Sequence, residues 1–149
     1  MKKLIILLAI AIAMLFSCNS KKDAASNNEI PYQIASGYFL KNDVDSSLLN
    51  TKKIETDTLF SELFGSATVM GPNGKPTLID FSTQYVIPVI ENVTEFATEV
   101  EPVSLTKSGD TLTLIYESKV GEKQTFTSKP VLLLIVDKQY TGDIQIDKK

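Results

Sequence analysis

The sequence predicts an α+β domain, a mostly antiparallel β-sheet of about six to seven strands with one principal helix packed on it. Three stretches carry that expectation. "TDTLFSELFG", residues 56–65, puts Leu59, Phe60, Leu63 and Phe64 on one helical stripe that belongs in a core. "DTLTLIYESKV", residues 110–120, alternates: Leu112, Leu114, Tyr116 and Val120 face one side and Thr111, Thr113, Glu117 and Lys119 the other, as in a half-buried strand. "KPVLLLIVDK" is apolar at six successive positions, Val131 to Val136, so that strand is central, with the helix on one face and other strands or loops on the other.

The elements follow in chain order. Lys2 and Lys3 precede an uncharged apolar run from Leu4 to Phe16. At 1.5 Å per residue it covers about 20 Å of a hydrocarbon core roughly 30 Å thick, so residues 1–17 read as a signal peptide rather than a lasting span. "LFSC", residues 15–18, then resembles the bacterial lipobox, with Leu15 three residues before the cysteine and small Ser17 directly before it. The resemblance implies cleavage between Ser17 and Cys18 and a lipid on the Cys18 sulfur, so that acyl chains hold the protein to the cell envelope. Cys18 is also the only cysteine, so an internal disulfide is out of reach. Residues 18–29 form the lipidated cysteine and a tether whose "NSKKDAASNNE" has no apolar side chain larger than alanine. Cleavage leaves 13 of the 15 lysines against 18 acids, a formal −5.

Residues 30–149 form a single globular domain. "YQIASGYFL", residues 32–40, reads as one strand, followed by the turn-rich "NDVDSSLLN". In the 56–65 helix, Thr56 or Thr58 caps the free N–H groups and Gly65 supplies a left-handed stop. "GSATVMGPNGKP", residues 65–76, is a long exposed loop, and Gly71, Pro72, Asn73, Gly74 and Lys75 make it a candidate binding loop. A turn at Asp80 to Thr83 leads into a strand in which Pro88 requires an edge or a bulge. "TEFATEVEPVSL" pairs with "DTLTLIYESKV" through a hairpin at Ser108-Gly109-Asp110, and "GDIQI", residues 142–146, ends the sheet.

Composition excludes whole chemistries. There is no histidine, and all 15 basic residues are lysine. Triads with an imidazole base are therefore absent, as is bidentate guanidinium recognition. One cysteine cannot complete a zinc, haem or iron–sulfur site. The net charge of −3, without a basic stripe, argues against nucleic acid as a partner. No catalytic residue, metal ligand or cofactor site is assigned, and an enzyme is not expected.

The succession "LFSELFG", "IDFSTQYVIPVI", "SGDTLTLIYES" and "KPVLLLIVDK" resembles the C-terminal domain of the protease-complex-subunit-B family of exported bacterial domains, over about residues 30–146. The resemblance implies a non-enzymatic accessory role, with a protein partner, a protease, that it stabilises or inhibits. Where that family has a Gly-Gly-Tyr stretch, this chain has Ile90-Glu91-Asn92-Val93-Thr94. The alternative is a binder of a small ligand or glycan in a pocket between sheet and helix.

Two further groups have simpler readings. Glu91, Glu95, Glu99 and Glu101 are a solvated acidic face rather than a calcium site, because residues spaced along a strand do not converge. Asp80 and Asp137 could serve as a glycosidase carboxylate pair only at roughly 5 to 9.5 Å, and Asp80 reads better as a turn residue. Asp57-Thr58-Leu59 and Asp110-Thr111-Leu112 resemble the O-glycosylation tripeptide of Bacteroidetes exported proteins, which makes Thr58 and Thr111 candidate modification sites.

Overall fold

The computed structural model describes residues 28–42, 44, 45, 49, 52–67 and 74–149. Ser17 and Cys18, and Gly71, Pro72 and Asn73 of the candidate loop, lie outside the described residues. The fold is mostly β, with mainly antiparallel strands and one short helix among the described residues. In chain order these are β1 (Gln33–Ile34), β2 (Tyr38–Leu40), α1 (Asp57–Leu63), β3 (Phe64–Ser66), β4 (Gln84–Ile90), β5 (Thr94–Ser108), β6 (Thr111–Ser128), β7 (Val131–Asp137) and β8 (Asp143–Lys148).

Two three-stranded sheets, β1-β7-β4 and β5-β6-β8, form the layers, and β2 pairs with β3 as a separate ribbon. The apolar run of β7 works as its sequence demands. Leu132, Leu134 and Val136 join Tyr85, Ile87 and Val89 of β4 and Leu105, Leu112 and Leu114 of the second sheet in one core. Leu133 and Ile135 face the other way, into a second core with Ile54, Phe60 and Phe64. Strand β7 is thus covered on both faces, by a sheet on one and by α1 with its flanking chain on the other.

Several expectations are corrected. Among the described residues eight strands stand where about six to seven were expected, partly because residues 32–40 form two strands in different sheets. The break falls at Gly37, whose φ of 79° no side-chain-bearing residue adopts readily. Helix α1 ends at Leu63, capped at its start by the Thr56 hydroxyl, which accepts from the Leu59 N–H. Gly65 is not a left-handed stop but a β3 residue paired with Phe39. Leu59 leaves the core stripe at 40% exposure, because the sheet lies under Phe60 and Phe64 instead. Of the expected exposed loop 65–76, Gly65 and Ser66 belong to a strand and Gly74 is buried, while Lys75 is exposed.

The β5–β6 hairpin turns at Gly109-Asp110, where positive φ at the glycine alone matches a type II′ turn. Strand β8 runs parallel to β6, not antiparallel, because β7 carries the chain back through the other sheet between them. Pro88 sits on β4, an edge strand, as its missing N–H requires. The last tether residues already belong to the fold: Ile30 N–H donates to Leu105, Lys107 N–H to Asn28, and Glu29 bridges Thr106.

Candidate functional site

Strands β5 and β6 are 15 and 18 residues long, while β8 pairs with β6 only from Thr111 to Tyr116. Beyond Tyr116 the hairpin continues as a two-stranded arm that overhangs the end of the sandwich. The boundary is closed by Glu91, whose carboxylate accepts from Ser118 Oγ at 2.8 Å and Lys148 Nζ at 2.9 Å, with the Tyr116 hydroxyl also bound to it. Desolvation raises the Glu91 pKa, but the hydrogen bonds from Lys148, Ser118 and Tyr116 outweigh it and hold the carboxyl below its usual range. The same site pushes the Tyr116 phenol up to about 12, through burial first and the bond to Glu91 second. Glu91 is therefore not part of a solvated acidic face; it is mostly buried, because Lys148 and Ser118 come to it from distant positions in the chain.

The arm coils through bulges. Between the pairs Phe96–Lys123 and Thr94–Ser128, β5 contributes one residue and β6 four. The excess chain of β6 folds Gln124 and Phe126 toward the start of β7, and a trough of about 680 Å³ results. Its walls are Val100 of β5, Val120 and Phe126 of β6, and Pro130 and Val131 beside β7. Val120 is 68% exposed and Phe126 60%, although cross-strand pairing puts Val120 on the face of Thr98 and Val100 that continues into the core. The sequence alternation through Val120 is real, but the opposing sheet stops short of it, so Val120 is not half-buried as expected.

Gln124 also lines the trough, and its Oε1 is buried without a hydrogen-bond donor. An acceptor stripped of water and left unpaired costs about 1–3 kcal/mol. On the other face of the arm, Glu101 and Glu117 stand directly opposite each other with Lys119 in ion contact with both. Among the described residues no three His, Cys, Asp or Glu side chains gather as metal ligands.

The other candidates lie elsewhere. Between α1 and the sheet, the Phe60 ring contacts Tyr38, Phe64 and Phe81 at centroid distances of 5.0, 5.1 and 5.5 Å. These rings fill the interior and leave a surface cleft of about 300 Å³. Asp80 accepts from Ser82 N at 3.0 Å and Thr83 Oγ1 at 3.1 Å, and Asp137 from Gln139 N at 2.8 Å, so each carboxylate is engaged in its own turn. The bonds from Ser82, with that from Thr83, hold the Asp80 carboxyl below its ordinary value. Thr58 is exposed on the first turn of α1, whereas Thr111 is half-covered, in register with both Ser108 and Asp143. The β4 edge is partly taken, since Ile54 and Val86 exchange both backbone hydrogen bonds at 2.9 Å.

Val120, Gln124 and Phe126 were missed in the sequence. The signal was present in "KVGEKQTFTS", where two large apolar residues stand isolated among polar ones in a stretch that reads as loop. No protein-family model, curated protein or solved structure matches this chain.

Proposed function

We propose that this α+β domain is the exported part of a cell-envelope lipoprotein, held by a lipid on Cys18, that acts as a non-enzymatic binding or accessory module through the trough under the β5–β6 arm. The observation that carries this reading is the trough itself: Val120 and Phe126 are exposed in a concave place. Single exposed apolar side chains are ordinary, but Val120 and Phe126 share one concave place, and apolar patches gathered in a groove mark interaction sites. The resemblance to the protease-complex-subunit-B family makes a protease the partner to look for first.

The position of the trough suits a tethered module. Residues 28–30 enter along β5 at Leu105 to Lys107, next to the hairpin turn. The trough begins at Val100, five to seven residues or about 20 Å further along the strand at 3.3 to 3.4 Å per residue. A chain anchored through its N-terminal tether thus presents the trough at the end of the ribbon away from its point of entry. The small-ligand alternative is less favoured, because aromatic rings fill the space between helix and sheet.

The test is affinity capture from native membranes with the wild-type protein and with Val120→Glu, a change at an exposed position that leaves the core intact. A specific partner retained by the first and lost by the second is expected. Equal capture by both refutes the trough as the binding surface. Cys18→Ala should abolish lipid labelling of the precursor, and normal labelling of that variant refutes the anchor.

A further inference from the structure

We propose that the arm takes up an extended, cationic segment of a partner protein as an added strand along the free edge of β6, beside the trough, an inference that rests on the binding role proposed above. Strand β8 covers that edge only as far as Tyr116. From Glu117 to Lys123, no strand pairs with β6 on that side among the described residues, so its outward backbone N–H and C=O groups have no strand partner there. Edges of this kind take up extended peptides, with main-chain bonds providing affinity and alternate side chains selectivity.

The two faces of the arm define what such a segment must carry. An extended chain points successive side chains to opposite faces. On the trough face it would meet Val100, Val120 and Phe126, which select apolar residues. On the other face the nearest charge would be Glu117 of β6, with Glu101 across the hairpin from it and Lys119 in ion contact with both. Glu101 and Glu117 stand directly opposite each other and share Lys119. The arm still has more glutamates than lysines, so a lysine or arginine on the incoming strand, beside Glu117, would be attracted by the remaining negative charge. Apolar and cationic residues in alternation therefore match both faces at once. An anionic lipid surface does not, because residues 94–101 and 117–128 hold five glutamates against two lysines.

The experiment uses the full chain in detergent and a peptide of about nine residues that alternates lysine with valine or threonine, read by fluorescence anisotropy and amide hydrogen exchange. The expected result is binding with exchange slowed about tenfold at residues 117–123. Binding about tenfold weaker is expected for a scrambled peptide of the same composition and for the Val120→Glu protein. Equal binding of alternating and scrambled peptides, protection confined to residues outside the arm, or no binding overturns the added strand. The underlying role is judged separately. If Val120→Glu loses the captured partner while the peptide leaves residues 117–123 unprotected, the strand is refuted and the trough stands; if capture is indifferent to Val120→Glu, the trough fails as well.

Discussion

Replacing Leu133 and Leu134 by alanine, one at a time, tests whether β7 is covered on both faces. The two side chains are adjacent in sequence and point to opposite sides, Leu134 into the core between the sheets and Leu133 into the core under α1. Their exposures are 2% and 0%, so neither site lets water fill the space left behind. A buried Leu→Ala change costs about 2–5 kcal/mol, the lost transfer energy plus the cavity. A loss of about 3 kcal/mol at each position, with a urea slope of about 2 kcal/mol/M for a domain this size, lowers the unfolding midpoint by about 1.5 M. Thr113→Ala, on the polar face of β6, should shift it by less than about 0.5 M, since such positions change stability little. Far-UV circular dichroism is the suitable signal, because the chain has no tryptophan. If either leucine variant unfolds within about 0.3 M of wild type, one face of β7 is wet and the two-core arrangement is wrong.

Two predictions concern titration. The Glu91 carboxyl has its pKa lowered in the folded state, so its contribution to stability is present above the unfolded value near pH 4.3 and is lost as pH falls through the folded one. Urea midpoints of wild type and Glu91→Gln should therefore converge on acidification below about pH 4.3, and a constant difference from pH 7 to pH 3 would remove Glu91 from the linkage. Tyr85 donates to the Tyr140 carbonyl at 2.8 Å, and burial, then Glu55 and Asp137, push its phenol up to about 12, as burial and Glu91 do for Tyr116. Their neutral forms favour the fold below about pH 10, and that stability is lost as pH rises through the folded values. Burial also raises the Tyr38 phenol, so ultraviolet titration should show three late phenols, one of which disappears in Tyr85→Phe.

What was legible in the sequence was whatever the local pattern forces. Six apolar residues in a row permit only a strand covered twice, and Thr56 and Asp80 perform the cap and turn that their side chains suit. What was not legible depends on where a neighbour ends. Val120 continues the inward phase of Leu112, Leu114 and Tyr116, yet exposure sets in because β8 stops at Tyr116 and the first sheet stops at Val131 and Ile90. "GEKQTFTS" is too polar to announce a strand, and it becomes one by pairing with β5 rather than by burial. Glu91 looks solvated in the chain and is enclosed only because Lys148, 57 residues away, reaches it.

The same dependence predicts a gradient of stability along a single strand. From Thr111 to Tyr116, β6 has partners on both edges, and Leu112 and Leu114 are fully buried. From Lys119 to Thr127 it has one edge partner, an interrupted register and no fully buried side chain. The arm's ion pairs, Lys119 with Glu101 and Glu117 and Lys123 with Glu95, are exposed, and such pairs contribute about 0–1 kcal/mol each. Opening the arm therefore breaks a ribbon without disturbing either core. Amides of residues 112–116 should exchange only at or near global unfolding, and those of residues 119–127 through a local opening that needs several kcal/mol less. Native-state hydrogen exchange measures both in one sample. Uniform protection along β6 would mean that the arm is fixed as firmly as the sandwich, and its trough would then be a rigid cleft rather than an edge waiting for a strand.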